Sequence, residues 1–219
     1  MIIAFDGQSG TGKSTLSKIV ANRLGFKYLN TGMLYRAVSY YLYQKNVSAD
    51  DLASIKKLLN SAQIHINFND DNQYVFINGE DITPYVSTQE VQKTVSLYSQ
   101  VHFIREKITD IQREFAKDNN IVVEGRDIGT HVFPNANYKF FVSCDVIVRA
   151  KRRQADLIKS GQDITLEQVV ESLKNRDYLD STREYSPLKR ADDAIDIDTS
   201  NSTIEQSVEE ILNYINLGA

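Results

Sequence analysis

The chain has 219 residues, 42% of them apolar and 25% charged, which suits one globular domain with a sizeable core. No apolar stretch reaches the length of a membrane span, and a formal charge of −4 opposes binding to nucleic acid or to anionic lipid. A single cysteine, Cys144, excludes an internal disulfide, and Met1 leads into an apolar run without the features of a secretory signal, so a cytoplasmic protein with small ligands is expected.

Short apolar runs at Ile2–Phe5, Phe26–Leu29, Ile121–Val123, Tyr138–Val142 and Ala194–Ile197 read as buried strands, and helical patterns follow most of them. After the first run, Leu16, Ile19, Val20 and Leu24 form one helical stripe that Gly25 closes. Between about Tyr43 and Asn120 the spacing exceeds a helical crossover, so an insertion is expected. Within it Ile64, Ile66 and Phe68 alternate with polar residues, and "NDDNQ" and "YVFINGED" predict a small antiparallel hairpin with an Asn78-Gly79 turn. Near the C-terminus, Ser202 and Glu205 have capping-box spacing ahead of Ile204, Val208, Ile211, Leu212 and Ile215. The alternation predicts an α/β fold, a parallel five-stranded sheet covered by helices.

The first turn carries the chemistry. Gly7, Gln8, Ser9, Gly10, Thr11, Gly12, Lys13 and Ser14 fit G-x-x-x-x-G-K-[ST] between a strand and a helix, and Thr15 follows. Glycines let backbone N–H groups converge on phosphate oxygens, the helix N-terminus adds positive charge, Lys13 reaches the β- and γ-phosphates, and Ser14 faces Mg²⁺. ATP or GTP is therefore the expected nucleotide. A GTPase-type switch is disfavoured, because the chain has neither an Asn-Lys-x-Asp nor an Asp-x-x-Gly segment, and a kinase is the better expectation.

Arginine clusters support a kinase, which must hold two repelling anions together. In "NTGMLYRAV", Thr31, Gly32, Tyr35 and Arg36 follow the second strand and open a helix, at the sheet edge where ligands bind. In "IVVEGRDIGT" a buried-looking strand runs into Glu124, Arg126 and Asp127, and Glu124 resembles a Walker-B carboxylate. Arg176, Asp180 and Arg183 recur at i, i+4 and i+7, which places all three on one helical face. His65, His102, His131 and Cys144 lack metal or nucleophile spacing and read as structural.

The segments "DGQSGTGKS", "TGMLYR", "EGRDIGT", "RDYLDSTREYSPL" and "DDAIDIDTS" occur in the order seen in bacterial cytidylate kinases, which the chain resembles over nearly its whole length. The resemblance implies a P-loop nucleoside monophosphate kinase that moves a phosphoryl group from Mg·ATP to CMP or dCMP. It implies that Arg36, Arg126 and Arg183 hold the acceptor phosphate, that Ser96, Arg105 and Asp127 read cytosine, and that Tyr35, Arg176 and Asp180 surround the sugar. Since nine residues of straight helix would turn Ser96 and Arg105 to opposite sides, this implied joint role requires a helix break near Ser99–His102. It also implies a core (about 1–60, 90–148 and 185–219), a monophosphate-binding insertion (about 61–89) and a lid (about 149–165). In the lid Arg149 and Arg153, four residues apart in "VRAKRRQ", are preferred over Arg152 as residues that close on ATP. Departures from the family pattern are Gln8 for proline, Met33 for alanine, and Glu124 for aspartate, whose longer reach leaves a water-mediated metal contact open. The expected partners are ATP and CMP or dCMP, acting on a monomer, with no nucleic acid and no membrane. The alternative is another small P-loop kinase with a UMP, AMP or shikimate-like acceptor.

Overall fold

The computed structural model describes residues 1–69, 72–159 and 161–217, without the Leu217 side chain. Asp70 and Asp71 of the "NDDNQ" segment and Ser160 of the lid segment lie outside the described residues. The elements are β1 (Ile2–Gly7), α1 (Lys13–Leu24), β2 (Lys27–Asn30), α2 (Thr31–Gln44), α3 (Leu52–Ser61), β3 (Ile64–Asn69), β4 (Asn72–Ile77), β5 (Glu80–Asp81), α4 (Gln89–Tyr98), α5 (His102–Lys117), β6 (Ile121–Glu124), β7 (Tyr138–Ser143), α6 (Val146–Lys159), α7 (Leu166–Thr182), β8 (Ile195–Asp198) and α8 (Ile204–Leu217). A 3₁₀ turn at Thr83–Tyr85 and a π turn at Ile128–Val132 complete them. A five-stranded parallel sheet has the order β2-β6-β1-β7-β8, and a second sheet has the order β3-β4-β5.

The chain packs as two compact units, Met1–Phe26 with the chain from Val122 onward, and Lys27–Ile121. In the first unit, β1 and β7 pair in parallel from Ile3↔Tyr138 to Gly7↔Val142, and β7 pairs with β8 from Phe140↔Ile195 to Ser143↔Asp198. Ile3, Phe5, Phe140, Val142 and Ile197 are buried, as expected for strands covered on both faces. Helix α1 buries Leu16, Val20 and Ala21, each larger apolar side chain contributing about 2 kcal/mol relative to exposure. Gly25 caps α1 in the left-handed region, as its position predicts. The N-cap of α8 lies one residue beyond the expected pair. Thr203 N–H donates to Gln206 Oε1 at 2.9 Å and Gln206 N–H to Thr203 Oγ1 at 3.2 Å, because Thr203 and not Ser202 immediately precedes Ile204.

The second unit has its own core, in which Leu34, Val38 and Leu42 of α2, Ile55 and Leu59 of α3, Val75 and Ile77 of β4, and Ile104 and Ile108 of α5 are buried together. The hairpin sheet therefore shares its core with the helices on either side of it in sequence. Asn78 (φ 54°) and Gly79 (φ 84°) turn β4 into β5 as predicted, both in the left-handed region that this turn demands. The helix break is also present, since α4 ends at Tyr98 and α5 starts at His102.

Gly7 shows why the strand must end as it does. Its φ is +147°, and a Cβ there would stand 2.1 Å from the Val142 carbonyl oxygen of the neighbouring strand. Backbone cannot swing aside as a flexible side chain can. Gly12, at φ +88°, has open space where a Cβ would go. We expect Gly7→Ala to cost about 4 kcal/mol, a fall of about 10 °C or more in Tm, and Gly12→Ala to cost only its conformational strain of about 1–2 kcal/mol. Thermal unfolding checks this, and a Gly7→Ala protein that melts as the native one does refutes it.

Candidate active site

The loop between β1 and α1 is held from behind by its carbonyls. Lys13 Nζ donates to Gln8 O at 2.6 Å, and the Thr11 hydroxyl also reaches Gln8 O at 3.2 Å. Arg149 Nη1 donates to Ser9 O at 3.0 Å, and the Thr199 hydroxyl to Thr11 O at 2.8 Å. A trans peptide points its N–H opposite its C=O, so these bonds turn the N–H groups of Ser9, Gly10 and Gly12 the other way, toward a bound anion. Gly10 at φ 78° and Gly12 at φ 88° supply the conformations this needs. Ser14 and Thr15 stand exposed in the first turn of α1.

Arg149, expected in a lid, is buried where α6 begins. Besides Ser9 O it donates to Cys144 O at 3.1 Å and to Asp177 Oδ2 at 2.7 Å, so here it fastens the loop to α7. Arg152 donates to Thr199 O at 2.9 Å, and Arg153 is exposed on α6. Ala150 of α6 packs with Val169 and Leu173 of α7.

Lys13 is 4% exposed, and its pKa is lowered to about 7, by burial first and then by the positive charge of Arg126; Glu124 and Asp6 oppose both. The buried Asp6 at the end of β1 has its pKa raised to about 6, burial outweighing the two backbone amides it accepts from. Its oxygens take the N–H of Ile128 at 2.8 Å and of Gly129 at 2.7 Å, pinning the π turn that follows Asp127. Sequence reading missed Asp6; an aspartate in an otherwise apolar strand just before a phosphate loop was the available signal. It also gave no role to Thr199 or to Asp177.

In the same unit Arg126, Asp127, Asp180 and Arg183 come together. Arg126 Nε donates to Asp180 Oδ2 at 2.8 Å, and the Arg183 guanidinium lies 3.6 Å from Asp127 Oδ1 and 3.7 Å from Asp180 Oδ1. Burial works to raise the Asp180 pKa, but Arg126, Arg176 and Arg183 outweigh it and hold the carboxyl below its usual range. Arg183 does not lie on the helix face predicted for it. Helix α7 stops at Thr182, and Arg183 is extended (φ −60°, ψ 142°), its Nε donating to Ser186 O at 2.7 Å while the head turns back to Asp180. Arg176 is exposed on α7, and Glu124 is buried at the end of β6. His131, in the π turn, sits with Nε2 at 2.9 Å from the Tyr185 hydroxyl.

The second unit holds the remaining residues on α2, α4 and α5. Asn30 caps this helix, its Oδ1 accepting from Met33 N–H at 3.1 Å, and Thr31 is buried beside it. The Arg36 guanidinium folds back over the first turn, 3.1 Å from where a Gly32 Cβ would stand. Arg105 is 2% exposed, stacks its guanidinium over the Tyr35 ring at 5.1 Å and donates to Ser99 O at 3.0 Å. Ser96 is half-buried on α4, with its carbonyl taken by Ser99 Oγ and Gln100 Nε2 across the helix break.

The donors near the loop are a hydroxyl (Ser14) and carboxylates (Glu124, Asp6), hard oxygen ligands of the kind Mg²⁺ takes together with phosphate. Among the described residues no group of three His, Cys, Asp or Glu side chains is placed to hold a metal ion, and no helix is long and apolar enough to cross a membrane.

A phosphate loop with a buried lysine, in a unit that also gathers arginines and carboxylates, defines a P-loop phosphotransferase. The family model described as cytidylate kinase matches residues 3–217. A cytidylate kinase of Geobacillus sp. (strain WCH70) is 42% identical over 98% of this chain and 96% of its own, and one of Halalkalibacterium halodurans is 43% identical over 98% and 97%. Among solved structures, an uncharacterized protein from Eubacterium ventriosum superposes with a TM-score of 0.54 at 14% identity, covering 99% of this chain and 98% of its own, which supports the fold. The chain belongs to the cytidylate kinase family.

Lys13 makes nucleotide binding a proton-linked event. With a free pKa of about 7 the amine is largely neutral at pH 8, and a bound triphosphate favours the ammonium form, so binding raises the pKa. We expect ATP binding to take up nearly one more proton in the native protein than in Lys13→Met at pH 8, and no more at pH 6. Calorimetry in buffers of different ionisation enthalpy reads the difference; equal uptake by the two proteins at pH 8 refutes the assignment.

Proposed function

We propose that the protein transfers the γ-phosphoryl group of ATP to CMP or dCMP, giving ADP and CDP or dCDP. Family membership over residues 3–217 is the observation that carries this reading, and the buried lysine and glycine-rich loop supply its chemistry. Gly7 to Thr15 cradle the ATP phosphates. Arg36, Arg126 and Arg183 hold the acceptor phosphate; Tyr35, Arg176 and Asp180 take the sugar, and Ser96, Arg105 and Asp127 the base. Functionally we keep the core, the insertion at about 61–89 and the lid at about 149–165, and we take the enzyme to act as a cytoplasmic monomer.

The acceptor supplies its own nucleophile. A phosphate oxygen of CMP attacks the γ-phosphorus, the bond to the bridging oxygen breaks, and ADP leaves with that electron pair. In this reading Lys13, Arg126 and Arg183 stabilise charge that spreads over the moving phosphoryl group, Arg149 serves them by bracing the phosphate loop, and Arg153 is the lid contribution. Ser14, with Glu124 acting through water, would hold Mg²⁺ beside the ATP phosphates, where the ion would supply neutralisation of phosphate charge. Cytosine presents an N4 amino donor where uracil presents O4, so a carboxylate at Asp127 attracts one base and repels the other.

Lys13→Ala is expected to reduce kcat by about 10³-fold, the scale seen for one preorganised electrostatic donor. Asp127→Ala is expected to lose the preference for CMP over UMP by about 10²-fold or more while retaining turnover. Steady-state kcat/KM for CMP and UMP measures both. An Asp127→Ala enzyme with native selectivity removes Asp127 from base reading, and native turnover in Lys13→Ala removes Lys13 from the chemistry.

A further inference from the structure

Gln73 is a polar residue on the apolar face of a strand. In β4 it shares its face with Val75 and Ile77, all three buried, where an apolar side chain would be ordinary. Its amide meets both backbone groups of one residue: Asn30 N–H donates to Gln73 Oε1 at 2.7 Å, and Gln73 Nε2 donates to Asn30 O at 3.3 Å. One side chain thus stands in for a strand partner at the end of β2, at the residue that caps α2.

The contact continues into the helix. Asn30 Oδ1 accepts from Met33 N–H, and on Gly32 a Cβ would lie 3.2 Å from that Oδ1 and 3.1 Å from Arg36 Nη1, so the cap, the glycine and the guanidinium are packed together. Moving Asn30 therefore moves the start of α2, with Thr31 in its first turn and Tyr35 and Arg36 in its second. A planar amide pairing with donor and acceptor at once fixes orientation as well as distance, which an apolar contact does not.

We propose that Gln73 is a positioning residue for the acceptor nucleotide, acting through Asn30 to set the start of α2; this rests on the assignment of Arg36 and Tyr35 to CMP. Gln73 touches no reacting group itself. Its loss leaves the Asn30 N–H and C=O without this partner in a partly buried setting, and the helix start is free to shift.

The experiment measures KM for CMP, KM for ATP and kcat in Gln73→Ala and in Gln73→Met, which keeps the bulk and removes both bonds. Both variants are expected to raise KM for CMP about tenfold and leave KM for ATP within twofold. Gln73→Glu keeps the acceptor but repels Asn30 O, and is expected to raise KM for CMP as well. In an Arg36→Ala background the effect of Gln73→Met on KM for CMP is expected to shrink to twofold or less, the non-additivity of residues that act in series. A Gln73→Met enzyme with native KM for CMP overturns the proposal, as does one whose two KM values rise together or whose effect adds fully to that of Arg36→Ala. If Gln73→Ala fails to fold, Gln73→Met carries the test. A native enzyme that turns over ATP with another acceptor and ignores CMP overturns the CMP assignment itself, an outcome distinct from a native-like Gln73→Met.

Discussion

A loop can cradle a polyphosphate only if its amides all face one way, and everything in the first unit depends on how that is arranged. The glycines permit the conformation, but permission is not enforcement. Enforcement comes from behind, where Lys13, Arg149 and Thr199 take the carbonyls of Gln8, Ser9 and Thr11. These three come from α1, α6 and the residue after β8, so the cradle is a product of the folded sheet and not of the loop alone. Arg149 is itself anchored by Asp177, which makes α7 part of the same brace.

Charge is handled by the same economy. Two arginines, Arg126 and Arg183, sit beside Asp127 and Asp180, partners that make their partly buried guanidinium groups tolerable. In the proposed reaction the incoming phosphate competes for these cations, so binding exchanges one set of charge-assisted bonds for another and costs less desolvation than an unpaired site would. Asp6 belongs to this scheme from below, its two bonds to the π turn holding the segment that starts with Asp127. Burial of Lys13 lowers its proton affinity, and a bound polyphosphate is expected to restore it, which would tie the ammonium charge to occupancy of the site.

How much of this was legible in the sequence follows from the distance over which each signal acts. The phosphate loop was visible because strand, glycines, lysine and helix are contiguous; the five strands were visible as apolar runs, and the turn at Asn78-Gly79 as a dipeptide that tolerates positive φ. The break between α4 and α5 followed from helical geometry once the family resemblance paired Ser96 with Arg105. Asp6, Asp177, Thr199 and Gln73 were not visible, since each acts on a residue far along the chain: Gln73 on Asn30 is a separation of 43, and Thr199 on Thr11 one of 188. Arg183 was misplaced for a different reason, because periodicity continues in the sequence where the helix does not. The acceptor's identity came through family resemblance; spacing and charge reach only as far as a small anion.

The most direct test of the central claim follows the phosphoryl group itself. ATP labelled with ³²P at the γ position, incubated with the purified protein, Mg²⁺ and an equimolar mixture of CMP, UMP and AMP, is separated by chromatography at early times. Label appearing first and predominantly in CDP is the predicted result. Label in UDP or ADP with CDP unlabelled, or label released only as inorganic phosphate, would contradict it.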